Sequence, residues 1–173
     1  LPLAHVLGVL RPVCAGLEAA HQSGLAHRNI RPSSFLVLEG GVVRLQDFAL
    51  SAELDSSGGN GNGSFAPVLD PAALGQKAYD APEGRNGPQA DVWGLSVSFY
   101  ELLSGMVPFP TASPQAKATR AFAKASSLVP GLPPAVDMLI HRALDPDPRA
   151  RVPLREFSAL VEGICQSLAP AQH

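Results

Sequence analysis

The stretch QADVWGLSVSFYELLSG, residues 89–105, constrains the fold more than any other part of the chain. On a helix, Val92, Trp93, Leu95, Val97, Phe99, Leu102 and Leu103 cover most of the circumference. A helix apolar nearly all round offers no face to water. Other elements must surround it, so the rest of the chain has to supply amphipathic structure that wraps a central helix. The 173 residues are enough for that, and with 46% hydrophobic against 16% charged residues they collapse rather than stay disordered.

The wrapping elements are legible by their spacing. Leu3, Val6, Leu7, Leu10, Val13, Cys14 and Leu17 predict an amphipathic helix over 3–22, with Pro2 in its first turn and its end near Gly24. Phe35–Leu38 and Val42–Leu45 read as short strands around Glu-Gly-Gly, a hairpin signal. Further helices are predicted at 114–126, 134–144 and 154–168, separated by Pro-rich breaks. Residues 55–64, DSSGGNGNGS, read as a flexible loop. GGNGNG inside it fails as a phosphate-binding loop, because Ser64 stands where a third Gly belongs and no strand or helix flanks it. The expected class is mainly α with one small β-hairpin.

Charge and cysteine usage exclude several functions. Net charge is −2 with no basic run, so nucleic acid is not an expected partner. No apolar run approaches spanning length, and LPLAHVLGVL lacks a basic leader and a cleavage site, so no membrane segment is expected. Cys14 and Cys165 form no metal or redox motif, and the histidines show no ligand spacing. Two free thiols fit a reducing, cytoplasmic setting.

Several short motifs then occur in one order: HRN at 27–29, DFA at 47–49, GQKAYDAPE at 75–83, DVWGLSVSFYELLSGMVPF at 91–109 and DPRAR at 147–151. Together they resemble H-R-D, D-F-G, the A-P-E end of an activation segment, the buried helix and the late D-P-x-x-R element of protein kinases. The whole chain, 1–173, resembles the C-terminal lobe of that α+β family, with residues 47–83 as the activation-segment-like loop. Pro32 resembles the serine/threonine branch, with a bacterial-type likeness.

The resemblance implies roles. Asp47, as the D-F-G aspartate, would hold magnesium against nucleotide phosphates. Glu83 would pair with Arg151 in a buried ion pair. Asp91 would bond the backbone of the 27–28 region, and His27 and Arg28 would be structural. Arg31 keeps the positive charge usually supplied by Lys. A second role is open to Asp47, which as a loop carboxylate can simply bond local backbone N–H groups. Ser51, Ser56, Ser57 and Ser64 are open to phosphorylation or to a plain solvated linker.

The departures fall on the chemistry. Asn29 occupies the position of the catalytic base, and a neutral amide does not accept the hydroxyl proton usefully. Ser34 aligns with the metal-binding Asn, and a hydroxyl is the poorer ligand for a hard cation. Ala49 replaces the D-F-G glycine, and Gln76 stands where Thr is usual. The 173 residues contain neither a G-x-G-x-x-G-x-V loop nor a V-A-I-K lysine. Those elements belong to a β-rich N-terminal lobe, expected upstream of Leu1 if the chain is a piece of a longer protein. The resemblance therefore implies a pseudokinase-like binding or regulatory module with an unknown protein partner. ATP and magnesium would bind only with an N-terminal lobe in place. The alternatives are a weak serine/threonine kinase completed by such a lobe, or a decayed one without function.

Overall fold

The computed structural model describes residues 1–48 and 77–168. The expected flexible stretch at 55–64, the four serines around it, Ala49 and Gln76 lie outside the described residues.

Helix α1, Leu3–Gln22, buries Val6, Leu7, Leu10, Val13, Cys14 and Leu17. It runs through Pro12, whose missing N–H and bulky ring ordinarily break a helix. Buried side chains on both sides of the proline hold the helix together across it. Its end is set by Gly24 at φ 77°, with Leu25 N–H returning to the Ala20 carbonyl at 2.9 Å. The helix has 20 residues and a hydropathy of 1.3, long and apolar enough by those measures to cross a membrane. This corrects the expectation that nothing in the chain approaches that length. Its apolar face nevertheless belongs to the core.

Strands β1, Phe35–Val37, and β2, Val43–Leu45, pair antiparallel with Leu36 opposite Arg44, and both pack on α1. A 3₁₀ turn at Glu39–Gly41 joins them, with Gly40 and Gly41 at φ 78° and 79°, a conformation that glycine adopts at little cost.

Helix α2, Pro88–Ser104, is the central element, and every residue from Ala90 to Tyr100 is buried. It passes so close to the 27–31 loop that a Cβ on Gly94 would lie 2.9 Å from the Ile30 carbonyl oxygen. The expected single helix at 114–126 is instead two short ones, α3, Pro114–Thr119, and α4, Ala125–Leu128. The chain breaks at Arg120, which takes a left-handed conformation at φ 52°. The break lets Phe122 set its ring edge-on to Tyr100 and Phe109, at 5.9 and 5.4 Å. Helices α5, Pro134–Ala143, and α6, Leu154–Leu168, complete the wrap around α1 and α2. The result is a helical fold with one small hairpin, and Trp93 stacks on Phe109 at its centre, 5.6 Å apart.

Candidate functional site

Asp91, in the first turn of α2, is 1% exposed. Its Oδ2 accepts the His27 backbone N–H at 2.8 Å and faces His21 Nε2 at 2.8 Å. Its Oδ1 accepts the Arg28 N–H at 2.7 Å. One carboxylate therefore fixes the start of the 27–34 loop. Arg28 is held at φ 66°, a conformation that strains a non-glycine residue by about 1–2 kcal/mol, and these bonds offset that strain.

His27 is fully buried. Its Nε2 donates to the Gln46 carbonyl at 2.7 Å, Nδ1 accepts the Asn29 N–H at 3.3 Å, and its ring lies 4.4 Å from that of Phe48. The network assigns the neutral Nε2–H tautomer. Burial lowers the pKa of His27 below the ordinary 6.5, and the Gln46 carbonyl and the charges of Asp91 and Asp47 oppose the shift. The unfolded chain thus binds one more proton than the folded chain as pH falls below about 6.5. The stability from neutral, buried His27 is complete above that pH and is lost on the way down to the folded-state pKa. We expect the urea midpoint to fall between pH 7 and pH 5.5, by at most about 1.4 kcal/mol per pH unit from this group. His27→Gln should flatten that slope, and an unchanged slope would assign the pH dependence to other groups.

Asn29 and Ser34 sit together in the loop. The Ser34 hydroxyl is buried and donates to the Asn29 carbonyl at 3.0 Å. Arg31 Nε is sealed from water without a hydrogen-bond partner among the described residues. Asp47 is half-buried at φ 72°, between Gln46 and Phe48, which His27 contacts. The loop with Asn29, Arg31 and Ser34 is therefore tied to the 46–48 segment through His27. Magnesium takes several oxygen ligands in near-octahedral geometry. Here Asp47 offers one carboxylate, while the hydroxyl of Ser34, which stands at the second ligand position, is turned inward onto the Asn29 carbonyl. One of the two protein ligands of the family's magnesium site is thus absent from the loop.

Glu83 and Arg151 form a second, separate contact. Arg151 Nη1 and Nη2 donate to the two carboxylate oxygens at 2.6 and 2.9 Å. Its remaining donors reach the Asp145 and Gln89 carbonyls, and the guanidinium stands 5.1 Å from the centre of the Trp93 ring. The pair is less buried than expected: the Arg151 side chain is sealed, but that of Glu83 keeps 25% of its surface.

Three contacts were missed by the sequence analysis. His21 is one. Tyr79 donates to Glu101 at 2.5 Å, and burial followed by that carboxylate raises the Tyr79 pKa. Lys117, 5% exposed, donates to the Lys77 and Asp80 carbonyls, both at 2.7 Å. Lysine is scarce here, three against ten arginines, and that scarcity was the only available hint of Lys117.

A buried helix whose first-turn aspartate organises an HRN loop, beside an APE glutamate clamped by a late arginine, defines the helical lobe of the protein kinase fold. The protein kinase domain model matches residues 3–160, and the chain belongs to the protein kinase family. Serine/threonine kinases are among its relatives. It is 34% identical to the serine/threonine-protein kinase PknL of Mycobacterium tuberculosis, over 98% of this chain and 43% of that protein. It is 30% identical to the serine/threonine-protein kinase PksC of Streptomyces coelicolor, over 90% of this chain and 28% of that protein. For the CBL-interacting serine/threonine-protein kinase 20 of Arabidopsis thaliana the figures are 33%, 82% and 32%. The chain spans less than half the length of these relatives.

Proposed function

We propose that this chain is a pseudokinase-like module, a kinase lobe used for protein binding or regulation rather than phosphoryl transfer. The observation that carries the proposal is the loop at 27–34. Its scaffold is intact, yet it presents Asn29 where the base belongs and turns the Ser34 hydroxyl back onto its own backbone. A general base contributes roughly 10²- to 10⁴-fold, and the missing second metal ligand is a further loss in the same unit. The two unpaired thiols, Cys14 buried and Cys165 half-buried, suit a cytoplasmic location. A second reading is favoured by the survival of Asp47 and Arg31: weak serine/threonine kinase activity in a longer protein that supplies an N-terminal lobe.

The test is a radiolabelled ATP assay on the purified chain, with and without magnesium, against a basic substrate protein. We expect no transfer from wild type and none from Asn29→Asp, because groups that act as a unit are not restored singly. Turnover that co-purifies with the chain and disappears in Asp47→Ala would overturn the non-catalytic proposal.

A further inference from the structure

Helix α3 spans six residues, and its single buried residue is Lys117. Pro114, Gln115, Ala118 and Thr119 are exposed, and Ala116 is half-buried against the core. A helix shorter than about 12 residues does not hold itself together in water. Surface helices are ordinarily anchored by an apolar stripe. Here the anchor is a cation. The Lys117 ammonium donates to the Lys77 and Asp80 carbonyls, both at 2.7 Å. The Asp80 N–H closes the same turn onto the Lys77 carbonyl at 3.3 Å, so the ammonium caps a turn whose two carbonyls converge on it.

Burial lowers the Lys117 pKa, and the Asp80 carboxylate opposes that shift. The same carboxylate accepts from Arg85 at 2.7 Å. Asp80 is therefore held twice, by its backbone to α3 and by its side chain to Arg85. Asp80, Gly84 and Arg85 also line the small cleft that Arg28 and Asn29 line. The anchor of α3 and the edge of the Asn29 cleft are thus one stretch of backbone.

These contacts stand or fall together. A buried ammonium deprived of its acceptors has to return to water. Lys117 sits inside α3, so its return draws the helix off the fold. A departed α3 in turn leaves the 77 and 80 carbonyls without their donor. The ends of α3 have tethers of their own. The Ser113 hydroxyl accepts the Ala116 N–H at 3.4 Å, and Arg120 pairs with Asp145 at 3.0 Å. Neither tether involves segment 77–85, and Arg120 keeps a released helix near its dock.

We propose that Lys117 is a latch that makes the docking of α3 and the placement of segment 77–85 beside Asn29 a single two-state equilibrium. The Asn29 cleft is then set from α3, without any contact to the cleft itself. The latch rests on these contacts alone and is independent of whether the chain transfers phosphate.

Residue-resolved amide exchange on the purified chain tests it. Hydrogen-bonded amides report on both sides: Asp80 and Gly84 in the segment, Lys117 and Ala121 in and just after α3. A single latch requires all four to open together. Lys117→Met keeps the stem and removes the ammonium. We expect all four amides to exchange roughly tenfold or more faster, the least that one hydrogen bond to a charged group contributes. Ala118→Gly, at an exposed position, weakens α3 about fivefold through helix propensity alone. We expect that same factor at Asp80 and Gly84 as at Lys117 and Ala121. Amides of α2 should keep wild-type rates in both variants. Wild-type exchange at Asp80 and Gly84 in Ala118→Gly would overturn the proposal, because the helix would then open without the segment. Wild-type exchange at all four amides in Lys117→Met would also overturn it, leaving the lysine as a space filler. Equal acceleration in α2 would do the same, because the loss would then be global. Should Lys117→Met not fold, the Ala118→Gly comparison decides alone.

Discussion

Truncating Arg151 to alanine is expected to destabilise the folded chain by roughly 3–5 kcal/mol, the range for removing one partner of a buried ion pair. Three losses combine. The side chain is sealed from water, so its removal opens a cavity against Trp93. The Asp145 and Gln89 carbonyls lose their donors, and the bidentate contact to Glu83 is gone. Glu83→Ala acts differently. It leaves a buried guanidinium whose remaining partners are two carbonyls and an aromatic face, but its vacated edge is partly open to water. We therefore expect it to be costly, yet less so than Arg151→Ala. Arg85→Ala is the control, because its pair with Asp80 has side chains 31% and 27% exposed. Pairs open to solvent contribute about 0–1 kcal/mol. Urea midpoints for the three variants decide the matter, and equal shifts for Arg151→Ala and Arg85→Ala would mean that the Arg151 clamp is not a stabilising anchor.

What could be read in advance follows from the range over which each signal acts. Helix α2 was legible because its burial is written in one unbroken stretch of apolar side chains. Helix α1 was legible from its period even though Pro12 argues against it, since periodicity reports on tertiary burial and Pro12 removes only one local bond. The break at Arg120 was not legible. A left-handed residue is signalled by Gly or Asn, whereas here an arginine is forced into that region so that Phe122 can reach the aromatic cluster. The resemblance suggested Asp91, Glu83 and Arg151 because they stand in recognisable motifs, the last two 68 positions apart. His21 belongs to no such motif. It meets Asp91 across 70 residues, a juxtaposition that only the crossing of α1 and α2 creates. Partial exposure of Glu83 was equally hidden, because a motif names a pair and does not report where the surface runs.

Replacing Asp91 by alanine should have an effect of the same order and should act first on the 27–34 loop. The carboxylate is the acceptor for two backbone N–H groups and faces the His21 ring, and its own exposure is 1%. A buried donor left without an acceptor costs about 1–3 kcal/mol, so the two amides alone bring the expected loss to roughly 2–6 kcal/mol. The left-handed Arg28 then keeps its strain without the bonds that offset it. Asp91→Asn should be nearly as harmful. Acceptors are needed at both carboxylate positions, and an amide has only one oxygen, so either orientation points an NH₂ group at a backbone N–H. His21→Ala should cost less, because it removes a single contact from a side chain that retains 12% exposure. Amide hydrogen exchange locates the damage: His27 and Arg28 should lose protection in Asp91→Asn at denaturant concentrations where the amides of α2 remain protected. Wild-type exchange at both amides, or a rescue by asparagine, would show that the carboxylate is not what holds the loop. Loss of protection in the loop ahead of the helices would place the organisation of the Asn29 site in the contact between α2 and the chain that follows α1.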